Sequence, residues 1–260
     1  MNHPDLHFER YGEQQEVAII RLTRPAKRNA LNDGLILAIR DLFETMPEGV
    51  RAAVLDGGGE HFCAGLDLSE LKERDAGQGL HHSRMWHAAL ERVQYGPVPV
   101  IAALHGAVVG GGLELASACH IRVADESTFY ALPEGSRGIF VGGGGAVRIP
   151  RLIGAARMAD MMFTGRVYNA VDGEKVGFAQ YLVPQGQAFE KALELAVRVA
   201  QNAPLTNYAL IHALPRIAEQ PTDQGLLTEA MMAAIAQSAP EAKQRVRAFL
   251  DGKAAKVRKS

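Results

Sequence analysis

Two glutamates stand out in this chain of 260 residues, because each follows a segment suited to present a side chain rather than to fill a core. Glu114 ends the run 109–114, which contains three consecutive glycines, and Glu134 ends the run 129–134. Glycine supplies no core volume and costs backbone entropy, so packing does not explain a carboxylate after three glycines. Two neighbouring carboxyl groups can have different pKa values, so that one acts as base and the other as acid. The pair predicts an enzyme that moves protons.

Glycines ahead of a helix suit a second chemical task, which is to aim backbone N–H groups at one oxygen atom. The run 110–112 opens a predicted helix, whose positive end favours a negatively charged oxygen. Residues 61–68 form a second turn, with Ala64 and Gly65 ahead of an apolar segment, that can present another N–H group. The two together would form an oxyanion hole, where one donor is typically worth about 2.7–4 kcal/mol. Considered alone, the run 110–112 fits a tight strand-to-helix turn equally well.

Other site types fit the sequence poorly. Neither 110–112 nor 142–145 matches G-x-G-x-x-G, and no Gly-Lys-Ser/Thr follows a glycine loop, which excludes Rossmann and P-loop nucleotide sites. Residues 134–138 lack the first glycine of a nucleophile elbow, so a serine hydrolase is not expected. His82 and His87 are five residues apart, without a carboxylate or cysteine to complete a metal site. We expect a solvated helix there, with Trp86 turned inward.

Composition and charge point to an ordinary soluble protein. The chain is 47% apolar and 22% charged, with a net charge of −1. This balance provides no broad attraction to nucleic acid or to an anionic membrane. Two cysteines form no disulfide framework, and the first ten residues contain no apolar run of the secretory type. We expect a cytoplasmic protein with no nucleic-acid or membrane partner.

The order of the predicted elements indicates an α/β fold. Asn32 is a plausible helix cap, and the run 110–112 opens a helix that continues to 118. Strands are predicted at 8–11, 17–22, 52–55, 98–104, 121–124 and 128–132. Strands that alternate with helices are typical of α/β architecture. From about residue 186 the pattern is helical, at 188–201, 205–218, 226–236 and 240–250.

This organisation predicts two domains. Residues 1–200 would form the core that carries the active site, and residues 201–260 would form a helical region for oligomerisation. The second region has an apolar run around Met231, which suits packing between subunits. Packing back on its own core is the alternative.

The combination of motifs resembles the crotonase (enoyl-CoA hydratase/isomerase) superfamily, from Val17 to Phe249. Three segments carry the resemblance: Arg24-Pro25 with Asn29-Ala30-Leu31, residues 62–68, and His105-Gly106 with residues 110–115. Their order and spacing make the resemblance specific. It implies a crotonase-type spiral of ββα units with a C-terminal helical trimerisation region, assembled as a homotrimer or a dimer of trimers.

The resemblance also implies roles for the residues singled out above. Leu66 and Gly111 would supply the two N–H groups that bind the thioester oxygen. Glu114 would act as base toward a water molecule, and Glu134 as acid toward the α-carbon. The implied reaction is the addition of water across an α,β-unsaturated acyl-CoA thioester. No metal or redox cofactor is implied, because CoA is part of the substrate.

Further positions match substrate contacts in the family. The resemblance places the CoA group at Lys27, Ala64, Asp67 and Leu68. Trp86 would border the acyl pocket. Near the C-terminus, Phe249 and Lys253 resemble an aromatic and basic pair that reaches the CoA of a neighbouring subunit.

The sequence departs from the family pattern beside the second glutamate. Gly135 replaces a bulky aliphatic residue, Val141 replaces a frequent proline, and residues 142–147 replace a G-x-G-G-T-Q type run. His105 occupies a position that is more often asparagine. These changes predict a looser loop near Glu134, and they leave straight-chain and aromatic or heteroatom-bearing acyl groups equally open.

Three other functions remain compatible with the sequence. Double-bond isomerisation and thioester or C–C hydrolysis could use the same oxyanion hole. A scaffold that binds CoA or RNA without turnover is the alternative outside enzymes. A pure binder has no need of both Glu114 and Glu134, so the pair favours hydration.

Overall fold

The computed structural model describes residues 3–70 and 73–253, and the chain divides into two compact units between Ala200 and Gln201. The strands of the first unit are β1 (Leu6–Tyr11), β2 (Val17–Leu22), β3 (Ala52–Gly57), β4 (Val100–Leu104), β5 (Ala107–Val109), β6 (Ile121–Asp125), β7 (Phe129–Ala131), β8 (Tyr168–Asn169) and β9 (Tyr181–Val183). Its helices are α1 (Asp33–Glu44), α2 (Ala76–Gln94), α3 (Gly111–Ala118), α4 (Gly145–Ile153), α5 (Ala155–Thr164), α6 (Ala170–Val176) and α7 (Ala188–Ala200).

The strands form two sheets. The larger has the order β1-β2-β3-β4-β6-β9, and its pairs are parallel except for the antiparallel edge pair β1–β2. The smaller has the order β5-β7-β8, with β5 and β7 parallel. Strands β3 and β4 are buried at every residue, as expected for parallel strands covered on both faces. Helix α7 contributes to the apolar cluster on one face of the larger sheet, while α1, α2 and α3 contribute to the cluster on the other.

The observed elements confirm the predicted α/β class. Asn32 caps α1, because its side chain accepts a hydrogen bond from the Leu35 N–H group. Strand β4 begins at Val100, two residues later than predicted. The sequence analysis did not predict β5, β8, β9, α4, α5 or α6. The three strands among them have only two or three residues each.

The second unit is helical, with α8 (Pro204–His212), α9 (Leu214–Ile217), α10 (Thr222–Ser238) and α11 (Pro240–Leu250). The predicted single helix at 205–218 is interrupted at Ala213, because Pro215 lacks the N–H group that would continue the helical hydrogen bonds. Helix α10 exposes apolar side chains at helical spacing, namely Leu227, Met231 and Ile235. Within the described residues, no helix has the length and apolar character needed to cross a membrane.

Candidate active site

Two neighbouring parallel strands deliver the two glutamates to one place. Val109 at the end of β5 is opposite Ala131 at the end of β7, and the Gly110 N–H group donates to the Ala131 carbonyl at 2.9 Å. Glu114 follows in the first turn of α3, and Glu134 follows β7 after a short turn. Both carboxyl groups line one cavity of about 270 Å³. The structure therefore brings the predicted acid–base pair together.

Glu114 is buried and held at one of its oxygens by two backbone donors. The N–H groups of Gly143 and Gly145 donate to Glu114 Oε1 at 2.8 and 2.7 Å. Burial raises the pKa of Glu114, and the two N–H groups together with the charge of Arg148 oppose that rise. Hydrogen bonds to a carboxylate favour its ionised form. The pKa of Glu114 therefore stays above its ordinary value, while its two N–H donors favour the ionised form that the predicted base requires.

The glycine run beside Glu114 permits this close approach. A Cβ atom added at Gly143 would lie 3.0 Å from Glu114 Oε2, and one added at Gly145 would lie 2.9 Å from Oε1. The Arg148 guanidinium donates to the Gly143 carbonyl at 3.0 Å and to Gln94 Oε1 at 2.6 Å. The expectation of a loose loop is therefore wrong for this segment, since its glycines are bonded to Glu114 and to a buried arginine.

Glu134 has a different environment. It is buried, and its Oε2 atom has no hydrogen-bond partner among the described residues. Burial raises the pKa of Glu134, its own backbone N–H group opposes the rise, and the nearby Glu114 carboxyl raises it further. A buried carboxyl group near a second carboxyl group, with one oxygen that accepts no hydrogen bond from the described residues, favours its protonated form. Glu134 thus has the environment of an acid.

Leu66 and Gly111 lie side by side, as an oxyanion hole requires. Leu31 donates to the Gly65 carbonyl at 2.7 Å, and Asp67 donates to the Leu31 carbonyl at 2.8 Å, so the Leu66 N–H group between them faces away from this bridge. Gly111 is the first residue of α3, where an N–H group has no acceptor within the helix. A Cβ atom at Gly111 would lie 3.5 Å from the Leu66 nitrogen. The backbone nitrogens of these two residues therefore lie near one another, as the predicted oxyanion hole requires.

Close backbone contacts fix the two turns relative to each other. Cys63 and Val108 form a parallel bridge, with the Cys63 N–H group donating to the Ala107 carbonyl at 2.9 Å. Gly65 has a φ of 99°, and a Cβ atom there would lie 2.8 Å from the Val109 carbonyl oxygen. A Cβ atom at Gly112 would lie 2.4 Å from the Cys63 carbonyl oxygen. Glycine is therefore required by backbone geometry at both positions.

Trp86 forms a wall of the same cavity. Its ring would lie 3.3 Å from a Cβ atom at Gly111 and 3.2 Å from one at Gly143. Its indole N–H group donates to Asp33 Oδ1 at 3.0 Å, and His82 Nε2 lies 2.8 Å from the same oxygen. Partial burial raises the pKa of Asp33, but the hydrogen bonds from Trp86 and His82 outweigh it and keep the pKa below its ordinary value. Asp33, in the first turn of α1, was not singled out in the sequence, and its carboxylate orients the indole.

The described residues include no group of three His, Cys, Asp or Glu side chains arranged to hold a metal ion. His82, considered above as a metal ligand, pairs with Asp33.

The residues expected at the CoA group lie on the adjoining loops. Lys27 is exposed, and its Nζ atom lies 3.8 Å from Asp67 Oδ1. Hydrogen bonds from the Ser69 hydroxyl and N–H groups lower the pKa of Asp67 to about 2. Burial opposes this shift, and the Arg24 guanidinium adds to it. The Ala64 N–H group donates to the Arg28 carbonyl, while Leu68 is half exposed.

The motif around Arg24 and Asn29 serves the loops rather than the cavity. Buried Asn29 has a φ of 55°, and its amide donates to the Gly58 and His61 carbonyls at 2.8 and 2.7 Å. Its Oδ1 atom accepts the Arg24 N–H group at 2.9 Å. Arg24 also pairs with buried Asp67 at 2.9 Å. These contacts set the positions of the turns that carry Lys27 and Leu66.

Several residues that matter to the site were not identified from the sequence. Gly143 and Gly145 hold Glu114, Arg148 holds Gly143, and Arg74 and Ser83 line the cavity. The glycine run at 142–145 was visible as a signal, but its contact with Glu114 depends on tertiary structure. A second cavity of about 570 Å³ lies at the ends of β2, β3, β4 and β6. The two glutamates do not line it.

Comparisons with known proteins agree with this geometry. The profile of the family described as enoyl-CoA hydratase/isomerase matches residues 12–258. The 2,3-dehydroadipyl-CoA hydratase of Escherichia coli is 32% identical over 241 residues, which are 91% of this chain and 93% of that protein. A candidate enoyl-CoA hydratase from Rhodopseudomonas palustris is 62% identical, with a TM-score of 0.93 and 97% of each chain covered. The enoyl-CoA hydratase of Bacillus anthracis is 30% identical, with a TM-score of 0.88 and 96% and 97% covered. This chain belongs to the enoyl-CoA hydratase/isomerase family, within the crotonase superfamily, and is an enoyl-CoA hydratase-like enzyme.

Proposed function

We propose that this enzyme adds water across the double bond of a 2-enoyl-CoA thioester. The observation that carries the proposal is the contrast between two carboxyl groups in one cavity. Glu114 accepts two N–H hydrogen bonds, whereas Glu134 Oε2 accepts none from the described residues. An isomerase needs one such group, whereas hydration uses a base and an acid together.

The reaction follows from the positions of these groups. The Leu66 and Gly111 N–H groups bind the thioester oxygen, which makes the β-carbon electrophilic. Glu114 accepts a proton from a water molecule while the oxygen of that water forms a bond to the β-carbon. Glu134 gives its proton to the α-carbon, and the C=C π bond is lost. Return of one proton from Glu114 to Glu134 restores the starting state, so the net change is the addition of water.

The cofactor requirement and the CoA contacts follow from this scheme. The reaction transfers protons and water, so the proposal includes no metal or redox cofactor, and CoA enters as part of the substrate. The exposed amine of Lys27 would meet a CoA phosphate, and the turn containing Ala64, Asp67 and Leu68 would contact the nucleotide. Asp67 would act mainly by holding that turn, because its carboxylate is bonded to Arg24 and Ser69.

We also propose that the helical unit supports a homotrimer or a dimer of trimers. The exposed apolar stripe of Leu227, Met231 and Ile235 on α10 supports an interface between subunits, as do the exposed Leu250 and Phe249 at the end of α11. Light scattering would measure the oligomer mass directly.

The test is a panel of 2-enoyl-CoA thioesters that differ in acyl group, assayed by loss of the enoyl-thioester absorbance. We expect hydration of at least one member, with the 3-hydroxyacyl-CoA identified by mass. A 3-enoyl-CoA substrate would reveal isomerisation as a gain of the same absorbance, and a thiol reagent would reveal hydrolysis. Isomerisation or hydrolysis without hydration would overturn the proposal, as would inactivity toward the whole panel.

A further inference from the structure

We propose that the acyl end of the active-site cavity accepts an acyl group that terminates in a carboxylate, and that Arg74 recognises this charge. The inference rests on the proposed function, because it names the class of acyl group that the hydratase site takes.

The direction of the cavity is given by one face of α2. Gly79, Ser83 and Trp86 all line the cavity and are spaced as neighbours on that face. The ring of Trp86 lies at the catalytic end, against Gly111. Because a helix rises 1.5 Å per residue, Gly79 lies about 10 Å from Trp86 toward the start of the helix. The cavity therefore extends from the oxyanion N–H groups along α2 toward its N-terminus.

This extension is available to the acyl chain. The residues that line the cavity do not include Lys27, Ala64, Asp67 or Leu68, the positions proposed for CoA. The wall also contains Ile139, Phe140 and Val141, which suit a chain of methylene groups.

Arg74 marks the far end. It lies two residues before the start of α2, is partly buried and lines the cavity. A partly desolvated guanidinium group favours an anionic partner, and its planar fork matches a carboxylate with two parallel hydrogen bonds. A ligand that brings a carboxylate into this end of the cavity would supply such a partner.

Two aspartates near Arg74 have other tasks. Asp75 caps α2, accepting the Gln78 N–H group at 2.8 Å. The charge of Arg74 contributes to the lowered pKa of Asp33, but the Asp33 Oδ1 atom is hydrogen-bonded to Trp86 and His82.

Charge also fixes the orientation of such a substrate. The catalytic end of the cavity carries Glu114, whose ionised carboxylate repels a second carboxylate, whereas Arg74 also lines the cavity and attracts one. The thioester is therefore directed to the oxyanion N–H groups and the terminal carboxylate to the arginine.

The experiment compares two six-carbon 2-enoyl-CoA thioesters, one ending in a methyl group and one in a carboxylate. We expect wild-type kcat/KM to favour the carboxylate by about tenfold or more, the range of a hydrogen bond to a charged group. Arg74→Gln should reduce kcat/KM for the carboxylate substrate by about 10–100-fold and change that for the methyl substrate by less than about threefold. Arg74→Lys should restore part of the preference, because it keeps the charge without the fork.

Arg84→Gln is the matched control, since Arg84 is an exposed arginine on the same helix that does not line the cavity. This variant should keep the wild-type preference. Thermal unfolding of each variant would show whether the fold is retained, and Arg74→Lys keeps the test valid if Arg74→Gln unfolds.

Binding of saturated thioesters separates this inference from the reaction itself. Calorimetry with adipoyl-CoA and hexanoyl-CoA should show the same preference and the same loss in Arg74→Gln, even if hydration is not the reaction. Equal binding of the two thioesters by the wild type, or tighter binding of hexanoyl-CoA, would overturn the inference. Equal weakening of both by Arg74→Gln would also overturn it, because Arg74 would then bind the CoA group.

Discussion

The two ends of the active-site cavity are built in different ways. At the catalytic end, backbone N–H groups, two carboxyl groups and glycines are so close that a Cβ atom at Gly65 or Gly112 would collide with a carbonyl oxygen. At the acyl end, side chains of α2 and of the segment 139–141 form the wall. A Cβ atom added at Gly79 there would meet no atom within 4 Å.

This difference explains why the reaction is easier to infer than the substrate. Backbone geometry at the catalytic end tolerates few changes, so the residue types that create it form a recognisable pattern in the sequence. At the acyl end, side chains can be exchanged without moving the backbone, so different acyl groups can be accepted on the same frame. The contrast can be tested from the strongest expected effect to the weakest.

The largest effect is expected for the two carboxyl groups. Glu114→Gln and Glu134→Gln should each lower kcat by about 10²–10⁴-fold, because positioned proton transfer contributes that much. Binding of a saturated acyl-CoA, measured by calorimetry, should stay close to wild type. If either variant kept near-wild-type kcat, that glutamate would not serve as the acid or base.

The next effect is expected for Gly111→Ala. The added methyl group would lie 3.5 Å from the Leu66 nitrogen, where we propose that the thioester oxygen binds, while its contact with the Trp86 ring at 3.3 Å requires a small shift. We expect turnover to fall by about 10²-fold or more, the effect of losing an oxyanion donor. Steady-state kinetics together with circular dichroism would distinguish this result from unfolding. Unchanged turnover in a folded variant would place the oxyanion site elsewhere.

A smaller effect is expected for Arg148→Met, which keeps a long side chain but removes the hydrogen bonds to Gly143 and Gln94. Gly143 and Gly145 would then hold Glu114 less firmly, so kcat should fall by about tenfold, in line with one hydrogen bond to a charged group. KM should change little, because Arg148 does not line the cavity. The exposed Arg151 on the same helix provides the control variant Arg151→Met. A rise in KM with unchanged kcat would contradict a positioning role.

The sequence was most informative where local chemistry determines structure. The buried strands, the Asn32 cap and the glycine turn before α3 all follow from short-range patterns, and they position both glutamates. Side-chain contacts over long sequence separations were not predictable in this way. Asp33 reaches Trp86 across 53 positions, and Gly143 reaches Glu114 across 29.

The glycine run at 142–145 is a second feature whose structural effect could not be predicted from the local sequence. Its composition suggested looseness, because glycine is conformationally permissive. In the fold, the missing side chains instead allow Gly143 and Gly145 to approach Glu114 Oε1 within 2.8 and 2.7 Å. Whether glycine loosens or tightens a segment depends on the partner that approaches it, which the local sequence does not specify.

Stability provides a further test of the contrast between the two carboxyl groups. Burial raises the pKa of Glu134, so the folded protein binds this proton more tightly than the unfolded chain does. Ionisation then costs stability as pH rises from the ordinary glutamate pKa through the raised one. Glu134→Gln should therefore be more stable than wild type above this window, on the order of 1–3 kcal/mol, the cost of an unsatisfied buried group.

Urea unfolding at several pH values would measure this difference. The extra stability of Glu134→Gln should disappear below the ordinary pKa range of glutamate. There Glu134 is protonated in both the folded and the unfolded wild type, so it is neutral like glutamine. Glu174→Gln, at an exposed position of α6, is the matched control. A gain for Glu134→Gln that did not vary with pH would show that charge is not its cause.

The smallest effect is expected at the acyl end, for Gly79→Ala. The position is inside α2 and a Cβ atom there meets no neighbour, so alanine should stabilise the helix by about 0.5–1 kcal/mol. Turnover of a short enoyl-CoA should stay within about twofold of wild type, as for a substitution that touches no critical contact. Urea unfolding and kcat/KM measurements check both points. A loss of turnover as large as that of Gly111→Ala would mean that the acyl end is as tightly constrained as the catalytic end.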